Sequence, residues 1–223
     1  MRTQQIHVVA FGATSKRKNS FWNNCSNSGE YHMKYAGIGS RDTPILVQYL
    51  FTEIGRIFGS NKILLRSGRA FGADFAFETG CNKVGGKKEI FIPWKDYNEA
   101  HEILVEDPHY ISIAADIASN IHPAWNKLSS AAKKLHTRNV YQIAGAALND
   151  PVDFVLCWTQ NSADVGGTRT AIVFARDLTI PVYNFGNFSA KFADVFVDEL
   201  LVALCRGERK KIFSVFEKFL VDS

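Results

Sequence analysis

From Met33 onward, short apolar runs alternate with longer segments whose apolar positions recur every three or four residues. That alternation predicts β-strands separated by amphipathic helices. Residues 35–38 read as a first strand ending in Gly39-Ser40-Arg41. Pro44 stands where a first helical turn tolerates proline, and Leu46, Leu50, Ile54 and Ile57 then share a helical face. Residues 63–65 form the next strand, which ends at Arg66-Ser67-Gly68, and a helix follows from about Gly72 through Glu78. A third strand covers 89–92 and is stopped by Pro93-Trp94. Helices are predicted over 97–105 and 110–119, and a longer one over 126–146, entered through His122-Pro123. Residues 153–158 form a continuous apolar strand, as expected where helices cover both faces of a sheet. A polar loop leads to Gly166-Gly167-Thr168 and a helix through Arg176, and 180–183 is a fifth strand.

Strands that alternate with helices imply a doubly wound α/β layer with a mostly parallel sheet. In such sheets ligands bind beyond the carboxyl ends of the strands. Every glycine or polar cluster named above falls at such an end. A final amphipathic segment, 210–220, carries Ile212, Val215, Phe216, Phe219 and Leu220 on one stripe. It reads as a helix docked on the core or as a contact between two copies of the chain.

Composition adds bounds. The 223 residues are 46% hydrophobic and 22% charged, enough to bury a core without disulfide or metal staples. No apolar run approaches the roughly 20 residues needed to cross a bilayer, and the first residues lack a signal-peptide pattern. Cys25, Cys81, Cys157 and Cys205 are far apart with no C-x-x-C, so a reducing cytosol is the expected compartment. The net charge of +4 is uneven. Arg2, Lys16, Arg17 and Lys18 against Glu30 give the first 33 residues +3, leaving +1 for the rest. Residues 1–33 therefore read as a Ser/Asn/Gly-rich arm, either a functional accessory or an upstream extension of the reading frame, and 34–223 as a single domain.

Four clusters could carry chemistry. Gly39, Ser40 and Arg41 combine close backbone approach with a hydroxyl and an arginine fork that suit phosphate, or form a plain tight turn. Ser67, Gly68, Arg69, Gly72 and Asp74 join a strand to a helix start, with Glu78 one turn later. Asp74 there either complements the helix dipole or holds a ribose hydroxyl. Gly166, Gly167 and Thr168, with Thr170 beyond, put paired glycines at a helix start without a Walker or dinucleotide fingerprint. Arg138, Asn139 and Gln142 are neighbours on the long helix and read as a base- or ribose-facing group or as a solvated face. Trp94 and Trp125 are stacking or core residues. His122 and His136 lack metal-ligand spacing, and no metal or cofactor is implied.

Taken in order, Gly37-Ile38-Gly39-Ser40-Arg41, Ser67-Gly68-Arg69-Ala70-Phe71-Gly72-Ala73-Asp74 and Gly166-Gly167-Thr168 resemble the SLOG superfamily over about residues 34–185. That group includes DNA-processing protein A and the LONELY GUY phosphoribohydrolases. The likeness is nearest to the small stand-alone DNA-processing-A-like members found in phage genomes. The resemblance implies a Rossmann-like sheet that holds nucleotide or nucleic-acid phosphate near the first and last glycine turns. The LONELY GUY motif, Gly-Gly-x-Gly-Thr-x-x-Glu, is altered here. Arg169 replaces its later glycine and Val173 its catalytic acid. N-glycosidic cleavage would then need Asp74 or Glu78 as the acid or base. Three functions follow as expectations: binding of a nucleotide-derived small molecule, N-glycosidic hydrolysis or transfer on a nucleotide, and single-stranded DNA binding aided by the basic arm.

Overall fold

The computed structural model describes residues 33–99, 103–205 and 209–220. The arm and its Lys16-Arg17-Lys18 cluster lie outside these, apart from buried Met33. Strands β1 (Lys34–Gly39), β2 (Leu64–Ser67), β3 (Lys88–Ile90), β4 (Phe154–Trp158) and β5 (Val182–Asn184) form one sheet in the order β3-β2-β1-β4-β5. Every pairing is parallel. Among the described residues seven α-helices flank it: α1 (Ile45–Ser60), α2 (Ala73–Asn82), α3 (Pro108–Ile121), α4 (Ser130–Ala144), α5 (Arg169–Asp177), α6 (Ala193–Cys205) and α7 (Arg209–Leu220). This is a Rossmann-like doubly wound α/β fold. Among the described residues, no helix is long and apolar enough to cross a membrane.

The two faces of the sheet are filled differently. On one, Tyr35 of β1 meets Phe58 edge-on at 4.9 Å and lies near-parallel to Phe154 at 5.7 Å. Phe51 and Phe77 stack at 4.2 Å between α1 and α2. On the other face, small residues let three helices approach closely. Ala114 and Ala118 of α3, Val140 and Ala144 of α4, and Ala171 and Ala175 of α5 share one core with Ala36 and Val155. Both faces of β4 are covered and all five of its residues are buried, which is why that strand reads as an unbroken apolar run.

Several element boundaries differ from expectation. The buried side of α1 is Val47, Leu50, Phe51, Ile54, Ile57 and Phe58, whereas Leu46 is 61% exposed. The apolar stripe thus starts one residue later than the spacing from Leu46 predicts. No α-helix covers the described part of 97–105. Tyr97–Glu99 is one 3-10 turn with Asn98 at φ 48°, and Ile103 bridges Phe91 in parallel, which prolongs the sheet edge. The long helix begins at Ser129, whose hydroxyl accepts the Ala132 N–H at 3.2 Å, and residues 125–127 form a separate 3-10 turn. Helix α6 has no counterpart in the predicted elements; its Phe196 and Leu200 are fully buried. The stripe on α7 turns inward. Ile212 and Phe216 are inaccessible, with Phe216 against Phe154 and Tyr183, so the core occupies the face that a second copy would need.

Candidate functional site

Strand order reverses between β1 and β4, which sends their outgoing loops apart and opens a crevice at their carboxyl ends. The ladder reaches the very end of both strands. Gly39 pairs with Trp158, and the Ser40 N–H donates to the Trp158 carbonyl at 3.0 Å. The Ser40 carbonyl then accepts from the Thr43 hydroxyl at 2.6 Å and from the Ala73 N–H at 3.4 Å. The turn after β1 is therefore tied to the start of α2. Gly72 makes that contact possible. Its φ is +84°, and a Cβ there would stand 2.4 Å from the Ser40 oxygen.

The crevice encloses about 460 Å³, a volume suited to a nucleotide-sized ligand. One wall is Gly39, Ser40, Arg41 and Asp42; the opposite wall is Gly166, Gly167 and Thr168 at the entry to α5. Leu135, Arg138, Asn139 and Gln142 of α4 project from one helical side, and Trp158, Thr159 and Gln160 follow from β4. Asn139 donates its amide N–H to the Gly167 carbonyl at 2.7 Å, which holds the glycine turn against α4. Helix α5 has no acidic residue in its first turn and no side-chain cap at Thr168. Its leading N–H groups have no partner within the helix and so suit an anion.

Asp74 forms part of the cleft floor and is only 3% exposed. Its Oδ1 accepts the Gly39 N–H at 3.0 Å; its Oδ2 accepts the Gly68 N–H at 3.1 Å and the Gln142 amide at 3.3 Å. One carboxyl group thus joins the ends of β1 and β2 to α4. Burial raises its pKa from the ordinary 3.8 to about 6, against the opposing pull of Arg138 and these hydrogen bonds. So little of Asp74 is accessible that its main work is this tie rather than contact with a ribose.

Arg138 is also buried, not solvated. Its Nη1 donates to the Gly68 and Phe91 carbonyls and lies 3.9 Å from Asp74. Position 68 must be glycine for this: a Cβ there would lie 1.4 Å from Arg138 Nη1. Burial lowers the Arg138 pKa, and Asp74 opposes that shift. The buried polar stripe of α4 therefore belongs to the cleft, and the solvated-face reading of Arg138, Asn139 and Gln142 is incorrect.

Six of the sequence-selected residues do not line the cleft. Ser67 is buried and donates to the Gly37 carbonyl at 2.6 Å. Gly68 and Gly72 stand behind the walls, in the packing roles given above. Arg69 turns to Glu78, with Nη1 to Oε1 at 2.5 Å, and Lys88 meets the same oxygen at 2.7 Å. That ion-pair cluster takes Arg69 away from any phosphate and Glu78 away from any acid-base role in the cleft. Thr170 bonds His136 Nδ1 at 2.7 Å. Arg169 likewise turns away, donating to the Ile121 carbonyl at 2.5 Å. Among the described residues, no group of three His, Cys, Asp or Glu side chains could hold a metal ion.

The chain matches no family model, no curated protein and no solved structure. The chemistry of the cleft therefore rests on its own residues. Four polar or aromatic members were absent from the sequence-selected set: Asp42, Trp158, Thr159 and Gln160. Thr159 is pinned by Asn184 of β5, whose amide donates to its hydroxyl at 2.7 Å. Trp158 ends an apolar strand and reads as core until its pairing with Gly39 puts it at the switch point.

Proposed function

We propose that the cleft binds a nucleotide or a nucleotide-derived small molecule. The observation that carries this reading is convergence. The Ser40-Arg41 turn and the Gly166-Gly167-Thr168 turn, 126 residues apart in sequence between Ser40 and Gly166, face each other across one crevice at the topological switch point. Phosphate lies against the α5 entry and Arg41; the base lies toward Trp158, Asn139 and Gln142. The resemblance of the glycine turns to SLOG proteins supports the same reading. Two guanidinium groups and two carboxyl groups line the cleft, but Asp74 is engaged by N–H donors at the floor while Asp42 lies at the exposed rim.

Gly167→Trp provides the sharpest test. A Cβ at 167 meets nothing within 4 Å, so the fold tolerates a side chain there while the indole fills the cleft. Isothermal titration against mono-, di- and cyclic nucleotides gives heat with at least one for the unmodified protein. In Gly167→Trp that affinity falls at least tenfold, a change of about 1.4 kcal/mol, with an unchanged melting temperature. No heat from any nucleotide at millimolar concentration removes the proposal.

One observation favours a hydrolytic variant of this reading. Burial raises the Asp74 pKa to about 6 at the cleft floor, closer to neutrality than an ordinary carboxyl group, as suits a group that exchanges a proton in N-glycosidic cleavage. It predicts release of free base from a nucleoside monophosphate, lost in Asp74→Asn. If base is released and the variant keeps the full rate, Asp74 is not the acid. The single-stranded DNA reading draws on the basic arm outside the described residues, and a mobility shift with and without residues 1–32 separates it from the other two.

A further inference from the structure

Five large apolar side chains stand in water where α1 and α2 begin: Ile45, Leu46 and Tyr49 on α1, Phe71 and Phe75 at the entry to α2. Their exposure runs from 47% for Phe75 to 65% for Tyr49. They form one patch because the two helix starts are tied together. The Ser40 carbonyl, just before α1, accepts the Ala73 N–H at 3.4 Å, and further along the Thr52 hydroxyl donates to the Ala76 carbonyl at 3.2 Å. The Phe71 and Phe75 rings lie 6.5 Å apart. The core side of α1 is already filled by Val47, Leu50, Phe51 and Ile54. Ile45, Leu46 and Tyr49 belong to a second side that the described residues leave open.

Side chains of this size, about half exposed, offer on the order of 100 Å² each. The patch thus presents about 500 Å² of apolar surface, toward the upper end of what a monomer shows. With a polar rim it approaches the roughly 800 Å² per partner of a standard interface. Its charges select the occupant. From Thr43 to Thr52 the chain has no charged residue, and from Ala70 to Phe77 only Asp74, which is buried. A nucleic acid finds no cation on such a surface, whereas a second copy of the same surface meets no like charge. The rim carries both signs. Asp42 is exposed just before α1, and Glu53 and Arg56 continue the outward side of α1 beyond Tyr49. A two-fold axis at Tyr49 sets two α1 helices antiparallel. It brings Asp42 of one copy, seven residues before the axis, toward Arg56 of the other, seven residues after it, and does so twice. Arg56 also pairs with Glu53 of its own chain at 2.9 Å.

We infer that this patch is the interface of a two-fold homodimer, with α1 against α1 at its centre and Phe71 and Phe75 flanking it. It is a different surface from the inward-turned stripe of α7. It borders the cleft through Arg41 and Ala70, but the inference does not depend on what the cleft binds.

Sedimentation velocity of the full chain over a range of concentrations tests it. The unmodified protein sediments as a dimer with a dissociation constant in the micromolar range or tighter. Tyr49→Glu and Phe75→Glu each raise that constant at least about tenfold, because each puts an unpaired carboxylate into the interface. Both positions are exposed in the single chain, so in dilute solution, where monomer prevails, both variants melt at the temperature of the unmodified protein. Should one of them misfold, the other decides. Val202→Glu, a like change at a 49% exposed position on α6, leaves the dimer intact. A chain that is monomeric at every concentration, a dimer that survives either folded patch variant, or a dimer dissociated by Val202→Glu overturns the assignment. If the chain is monomeric and Tyr49→Glu lowers its melting temperature, the chain's own residues cover the patch in place of a second copy.

Discussion

Replacing Arg138 with methionine lowers the unfolding free energy by about 3–5 kcal/mol, the usual cost of breaking a buried ion pair by removing one partner. Methionine keeps much of the length and apolar volume, so the change isolates charge and hydrogen bonding from packing. Three groups lose their partner together. The Gly68 and Phe91 carbonyls lose a donor, and the Asp74 carboxylate loses the cation that restrains its pKa. Asp74 then moves further above the carboxylate range and carries a proton at neutral pH. Lysine does not rescue the site, because a single ammonium cannot reproduce the guanidinium fork. Urea unfolding at neutral pH reads the effect as a lower midpoint at unchanged slope. A loss below about 1 kcal/mol, the scale of an exposed pair, would mean that Arg138 is not the electrostatic keystone between β2, β3 and α4.

How much of this was legible beforehand depends on what each residue type signals locally. Both-face burial makes β4 apolar throughout, so that strand is plain in the sequence. The glycine clusters are plain for a similar reason, since tight turns restrict composition. Which cluster meets which depends on strand order. The reversal between β1 and β4 is a pairing choice that no local window encodes, and it is what brings Ser40 and Gly167 to one crevice. Arginines were the least legible. Arg69 sits in the stronger-looking motif, yet Glu78 lies nine residues later on α2 and captures it. Arg138 sits on a polar stripe that has the spacing of a solvated face, and only the packing of α4 beside the cleft buries it. Helix α6 is not legible in the sequence because its apolar residues, Val195, Phe196, Val197, Leu200, Leu201 and Val202, are spread around the helix and blur its periodicity.

The stability of this protein changes little between about pH 4 and about pH 7 through Asp74 and His136, because their shifts oppose each other. Asp74 titrates near 3.8 when unfolded and at about 6 in the fold, chiefly through burial. Over that interval the folded state keeps a proton that the unfolded chain has released. Its contribution is therefore present at low pH and is lost as pH rises through about 6. His136 behaves in the reverse sense. Burial, then the neighbouring His122 and Arg138, lower it from 6.5 to about 4. The unfolded chain takes up the proton first, so this contribution is present above 6.5 and is lost as pH falls through about 4. Each shift of roughly two units amounts to about 3 kcal/mol, with opposite slopes over nearly the same window. Single substitutions expose what the pair conceals. Relative to the unmodified protein, Asp74→Asn becomes less stable by about 3 kcal/mol on going from pH 7 to pH 4, since only the His136 term remains. His136→Asn becomes more stable by a similar amount over the same change, since only the Asp74 term remains. Urea midpoints across this range measure both, and taking differences from the unmodified protein removes the titration common to all three. Parallel profiles for the two variants would show that neither side chain is held in the protonation state its burial dictates, and that the surroundings of Asp74 and His136 are more open to water than their burial implies.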